Sequence, residues 1–94
     1  MSLYISRKVR TKLSGKKPPV TEDEIVQCFA NRTGLYLVDV REEHKTNPPT
    51  QWFIAETDYG RKLKVVFMQM GNDIHIKSAF EPNNEELRIY KKFS

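Results

Sequence analysis

The sequence predicts a small α+β domain in the order α-α-β-β-β-β-α, an antiparallel four-stranded sheet with its helices packed on one face. Three observations carry that expectation. Apolar residues recur at helical spacing up to residue 30 and again after residue 83, but alternate every second position between residues 35 and 80. Gly and Pro stand where the period changes and between the alternating runs. The chain has 94 residues, 38% hydrophobic and 11% aromatic, which suits one globular domain over 1–94 and neither a two-domain enzyme nor a disordered chain.

Ile5, Val9 and Leu13, four positions apart, give the first helix a narrow apolar stripe. Gly15 and the run Lys16-Lys17-Pro18-Pro19 end it, because proline offers no N–H and disfavours a helical residue before it. In the second helix Thr21 and Glu24 form a capping box, and Val20 and Ile25 stand where a hydrophobic staple would. Glu22, Asp23 and Glu24 fall at the positive end of its dipole. Ile25, Val26, Phe29 and Ala30 form its apolar face, and residues 31–34 close it.

Strands are expected over 35–40, 51–57, 61–69 and 73–80, with a charged loop at 41–49 and turns at Asp58-Tyr59-Gly60 and Gly71-Asn72. Pro82 ends the last strand. Asn83 and Glu86 make a second capping box, opening a helix that carries Leu87, Ile89, Tyr90 and Phe93.

Charge is unevenly spread. Residues 1–20 hold six basic side chains and no acid, whereas the remainder holds ten basic and twelve acidic ones. Such a basic collar either holds phosphates, with nucleic acid as the usual partner, or is a solvated helix face. A single cysteine, Cys28, excludes an internal disulfide and reads as a core residue. No apolar run approaches the roughly 18 residues of a membrane span, and no secretory core follows Met1. A reduced, cytoplasmic protein that meets no membrane is expected. The two histidines, His44 and His75, lie far apart with no metal-ligand spacing, and no Gly-rich phosphate loop is present. No metal or cofactor is expected.

Alternation places Leu63, Val65 and Phe67 on one face of the third strand and Lys62, Lys64 and Val66 on the other. In the fourth, Ile74, Ile76, Ser78 and Phe80 share one face, and Asp73, His75, Lys77 and Ala79 the other. A hairpin of the two would gather Lys62, Lys64, His75 and Lys77 on one open face, suited to a phosphate backbone or to plain solvation. Cleavage of RNA needs a base for the 2′-hydroxyl, an acid for the leaving 5′-oxygen and cations for the charge that develops at phosphorus. His75, with Lys64 and Lys77, carries those residue types. Glu56 is a candidate compensating acid if Trp52, Ile54 and Glu56, rather than Phe53, Ala55 and Thr57, share that face, and Trp52 reads as a core anchor or a base-stacking surface.

Several short stretches resemble the BrnT family of bacterial toxins. They are residues 20–29, Asp39-Val40-Arg41, Trp52, Gly60-Arg61-Lys62-Leu63-Lys64-Val65-Val66-Phe67, Ile74-His75-Ile76-Lys77-Ser78-Ala79, and Glu86 with Tyr90. The resemblance implies a RelE-like scaffold, a concave basic face and metal-independent endoribonuclease activity restrained by an antitoxin-like protein partner. It implies RNA contacts from Arg61, Lys62, Lys64 and Lys77, with His75 moving protons and Glu56 or Tyr90 orienting groups. An arginine commonly follows the Ser-Ala pair in that family; here the residue is Phe80, followed by Glu81. The chain is also similar to short bacterial proteins labelled ADP-ribosyl-(dinitrogen reductase) hydrolase. True hydrolases of that name are larger, helical and dimetal, and no carboxylate cluster of that kind stands in this sequence. Two functions therefore remain open: an RNA-cleaving toxin-like protein, or a non-catalytic module that binds RNA or protein through the same face or the 41–49 loop.

Overall fold

The structure is a computed structural model that describes residues 2–40 and 46–94. The chain runs β1 (Ser2–Tyr4), α1 (Arg7–Ser14), α2 (Glu22–Asn31), β2 (Leu37–Val38), β3 (Thr50–Glu56), β4 (Lys62–Met70), β5 (Asp73–Phe80) and α3 (Asn84–Phe93). The strands form one mixed sheet in the order β1-β5-β4-β3-β2, with β1 parallel to β5 and the other neighbours antiparallel. The α+β class stands, but the expected order and four antiparallel strands do not. An additional strand precedes the first helix, too short at three residues to display a period and paired, among the described residues, with a strand some seventy residues away. The strand expected at 35–40 contracts to Leu37–Val38. Part of the expected charged loop, Arg41 to Lys45 with His44, lies outside the described residues.

Both capping boxes form as the sequence indicates. Thr21 Oγ1 accepts from Glu24 N at 3.2 Å while Glu24 Oε1 accepts from Thr21 N at 3.0 Å. Asn83 and Glu86 exchange the same pair at 2.8 and 2.9 Å. The β3–β4 and β4–β5 turns place Gly60 and Gly71 at φ 84° and 62°, a region that a β-carbon disfavours.

The main core lies between α2 and the sheet. Phe29 of α2 packs on Phe53 and Phe67 with ring centroids 4.7 and 5.6 Å away, and Ile25, Cys28, Leu63 and Val65 are fully buried beside them. α1 packs along β5 and is tied to α2 by the Arg10–Glu22 ion pair at 2.6 Å.

The expectation that all helices share one face fails at α3, which packs on the opposite side. Its Tyr90 meets Trp52, the neighbour of Phe53 in β3, with ring centroids 5.7 Å apart. The reason lies in β3 itself, where Phe53 and Ala55 face α2 while Trp52 and Ile54 face away. Apolar residues on both faces need cover on both.

The assignment of faces in β5 also changes. Phe67 pairs with Ile76 but Val66 with Ser78, so Lys77 is an extra residue in a β-bulge. The bulge reverses the alternation beyond it. Ala79, not Phe80, enters the core opposite Val65, and Ser78 and Phe80 turn to the α3 face.

Candidate functional site

On the α3 face the register sets the side chains in successive rows. Glu56 lies beside Lys62; Ile54 beside Lys64 and Phe80; Leu37 beside Trp52, Val66 and Ser78; Thr50 beside Met68, His75 and Tyr4. Rows are about 6.7 Å apart, two residues of rise. Lys64 and the partner of His75, Met68, are four residues apart in β4, about 13 Å; Lys62 and Met68 are six apart, about 20 Å. His75 and Glu56 therefore stand at opposite ends of the sheet, and the proposed catalytic residues are not gathered into one site.

Each sequence-derived candidate has a definite environment. His75 is partly exposed near the β1 edge, its ring stacked on Tyr4 at 5.1 Å. Lys77 is exposed at the bulge. Glu56 is exposed at the end of β3, with its backbone carbonyl accepting from Asn31 Nδ2 at 3.0 Å. With Lys62 and Asn31 it lines an open cleft of ≈ 600 Å³ beside Leu87. Tyr90 is buried, and its hydroxyl donates to the Leu35 carbonyl at 2.9 Å. Burial raises its pKa above the usual phenol value, so it stays neutral and serves as an anchor for α3.

Arg61 is engaged throughout its guanidinium. Nε donates to Glu81 at 3.0 Å, Nη1 to Pro19 O at 2.8 Å and to Glu24 at 3.2 Å, and Nη2 to Pro18 O at 2.8 Å. It clamps the segment before α2 onto the sheet, and Glu81 completes that clamp. Lys64 is likewise committed. Its ammonium lies 2.7 Å from Glu86 Oε2, 4.5 Å from the Trp52 ring and 5.5 Å from the Phe80 ring, with the Lys64 side chain 10% exposed. The aromatic ring of Phe80 thus packs against a cation already held in place.

Cys28 is fully buried, and its thiol donates to Ala55 O at 3.6 Å. Burial, reinforced by the Glu24 carboxylate, raises its pKa to about 11, which makes it inert near neutrality. Among the described residues no three His, Cys, Asp or Glu side chains converge as metal ligands would. Among the same residues no helix is long and apolar enough to cross a membrane.

Two features of the surface stand out. One is the β1–β5 edge. All the cations of α1 are exposed, and Arg10 alone of Arg7, Lys8, Arg10 and Lys12 makes an ion pair among the described residues. The Tyr4–His75 stack lies on the opposite face of the same edge. The other is a groove of ≈ 560 Å³ between α3 and residues 37–40, floored by Trp52 and the Lys64–Glu86 pair and walled by Val38, Val40, Ile89 and Phe93. The sequence concealed this groove. Glu86 announces itself only as a capping residue, and Val38 and Val40 read as ordinary strand positions. The alternation of Trp52 with Phe53 was the one available signal that a second face needed cover. No protein-family model, curated protein or solved structure matches the chain.

Proposed function

We propose that the chain acts on RNA as a toxin-like protein, with the polyanion running over the β1–β5 edge. The observation that carries this reading is the unbalanced charge of α1, exposed on one face of that edge, with a half-exposed tyrosine stacked on a histidine on the other. Lys8, Lys12 and their neighbours meet phosphates, and Tyr4 and His75 offer a stacking surface to an unpaired base. His75 alone of the sequence-derived catalytic candidates is near this edge. In the catalytic form of the proposal it takes the proton of the ribose 2′-hydroxyl as that oxygen attacks phosphorus. It then returns the proton to the leaving 5′-oxygen. Tyr90, Arg61 and Lys64 are engaged within the fold and act as structural groups, and Glu56 stands at the far end of the sheet.

Binding of a labelled mixed-sequence single-stranded RNA, followed by fluorescence anisotropy across salt concentrations, tests the reading. Each phosphate neutralised contributes about −0.7 to the slope of log affinity against log salt. Charge reversal of Lys8 and Lys12 should flatten that slope, and a slope near zero in the wild type removes RNA as the ligand. Incubation of the same RNA with EDTA present then separates the two forms. Cleavage that His75→Ala abolishes while affinity survives assigns the proton transfer to His75; binding without cleavage assigns a non-catalytic module.

A second reading, a module that holds an antitoxin-like protein partner, is favoured by the groove at the other end of the sheet.

A further inference from the structure

The Tyr4–His75 stack borders a pair of methionines. Met68-Gln69-Met70 ends β4, and strand alternation turns both methionine side chains to the α3 face while Gln69 turns to the other. The two-residue turn Gly71-Asn72, with Gly71 at φ 62°, then brings β5 back in a fixed register. Met68 comes to lie opposite His75, and Met70 opposite Asp73. The bulge at Lys77 lies beyond this stretch and leaves its pairing regular.

In such a ladder the β-carbons of Met68 and His75 are about 4.5–5.5 Å apart, and those of Met70 and His75, on the diagonal, about 7–8 Å. Met68 and Met70 are two residues of rise apart, about 6.7 Å. Methionine is unbranched and adapts its sulfur position, so two thioethers and an imidazole on a triangle of that size can converge on one ion above its centre. The imidazole is both held and available. Its face stacks on Tyr4 at 5.1 Å, and neither ring nitrogen has a hydrogen-bond or ion-pair partner among the described residues. Met68 is 8% and Met70 43% exposed, with His75 partly exposed between them, so the sheet shelters one side and an ion can enter from the other.

The donor set selects the ion. Thioether sulfur is soft and uncharged; it favours Cu(I), whereas magnesium and calcium take oxygen ligands. Imidazole accepts the same soft ion. A zinc site would draw on several Cys, His or acidic side chains, and no three of these converge among the described residues. Asp73, opposite Met70, adds one negative charge beside the cation.

We propose that Met68, Met70 and His75 bind a soft monovalent metal ion of the Cu(I) class through two thioethers and one imidazole nitrogen. The site stands whether or not the chain acts on RNA. Where it does, an ion on His75 withdraws the lone pair that proton transfer needs.

Ag(I) is the probe, because it shares the ligand preference of Cu(I), is diamagnetic and needs no reductant. The chain has three methionines, so its methionine methyl NMR spectrum holds three signals, which Met68→Leu and Met70→Leu assign. Ag(I), added in buffer free of chloride and thiols, should shift the signals of Met68, Met70 and the His75 ring together and saturate at one ion per chain. Met70→Leu, at an exposed position, and His75→Gln should each weaken binding at least about tenfold, the cost of disturbing even a group behind a metal ligand. Met68→Leu conserves volume at a buried position and should do the same with the fold kept. Cys28→Ala removes the only thiol and should leave binding unchanged, and Zn(II) should leave the methyl signals in place. Shifts confined to one methionine overturn the proposal. So does an affinity that Met70→Leu and His75→Gln leave unaltered, binding that Cys28→Ala abolishes, or movement of the same signals by Zn(II).

Discussion

Replacing Glu86 by glutamine changes one charge and almost no volume, and it removes the anion of the ion pair under the groove. Glutamine keeps a side-chain oxygen for the Asn83 N–H, so the capping box of α3 survives. What it removes is the anion 2.7 Å from Lys64. The ammonium is then left with the Trp52 and Phe80 rings at 4.5 and 5.5 Å. Stranding one member of a buried pair costs about 3–5 kcal/mol. Here the two side chains are 10% and 19% exposed, so water reaches them, and the ring faces retain part of the cation's stabilisation. We expect a loss of about 2–3 kcal/mol, measured by urea denaturation, or roughly 10–20 °C in melting temperature for a domain this small. Glu85→Gln is the internal comparison. It breaks the Arg88–Glu85 pair, whose side chains are 69% and 71% exposed, and should cost less than about 0.5 kcal/mol. Lys64→Met combined with Glu86→Gln should recover part of the loss, because no charge is then left unpaired. A cost for Glu86→Gln equal to that of Glu85→Gln would show the pair to be fully screened and the account of a largely buried pair under the groove to be mistaken.

Two further outcomes are expected from the packing. A β-carbon at Gly34 would lie 2.6 Å from the Tyr90 hydroxyl and 2.8 Å from Ser94 Oγ, and Tyr90 is buried. Gly34→Ala should therefore lower stability by about 1–3 kcal/mol in a thermal melt, against the roughly 0.4–1 kcal/mol gain of the same change at an unhindered site; a higher melting temperature would contradict the close approach of α3. Cys28 keeps its proton in the folded chain up to about pH 11 but loses it near pH 9 when unfolded. As pH rises between those values the unfolded state binds fewer protons, so stability falls, by at most about 1.4 kcal/mol per pH unit. The wild type should lose more stability than Cys28→Ala over that window in denaturant titrations, and parallel curves would refute the burial argument.

The legible parts of this protein are those written in local patterns. Thr21 with Glu24 and Asn83 with Glu86 locate two helix starts because a capping box needs only residues three apart. The β4–β5 hairpin, with its central valines and its Gly71 turn, follows from alternation over adjacent residues. The face assignment failed at Lys77 because a bulge adds one residue without altering composition, and every position after it then points the other way. The same shift carried Phe80 onto the Lys64 side, a neighbour that simple alternation had denied it.

The candidate site was less legible for a related reason. Arg61, Lys62, Lys64 and Lys77 look alike in sequence, since charge is a property of the residue and availability is a property of its surroundings. Only the tertiary structure assigns Arg61 to the carbonyls of Pro18 and Pro19 and Lys64 to Glu86, leaving Lys62 and Lys77 exposed. The sequence by itself determined the α+β class, the caps, the burial of Cys28 and the basic start of the chain. The placement of β1 beside β5, of α3 over Trp52, and of the groove between α3 and β2 was decided by contacts between residues far apart in the chain. Those contacts form because both faces of β3 are apolar and each must be covered, a requirement met only once the whole sheet exists.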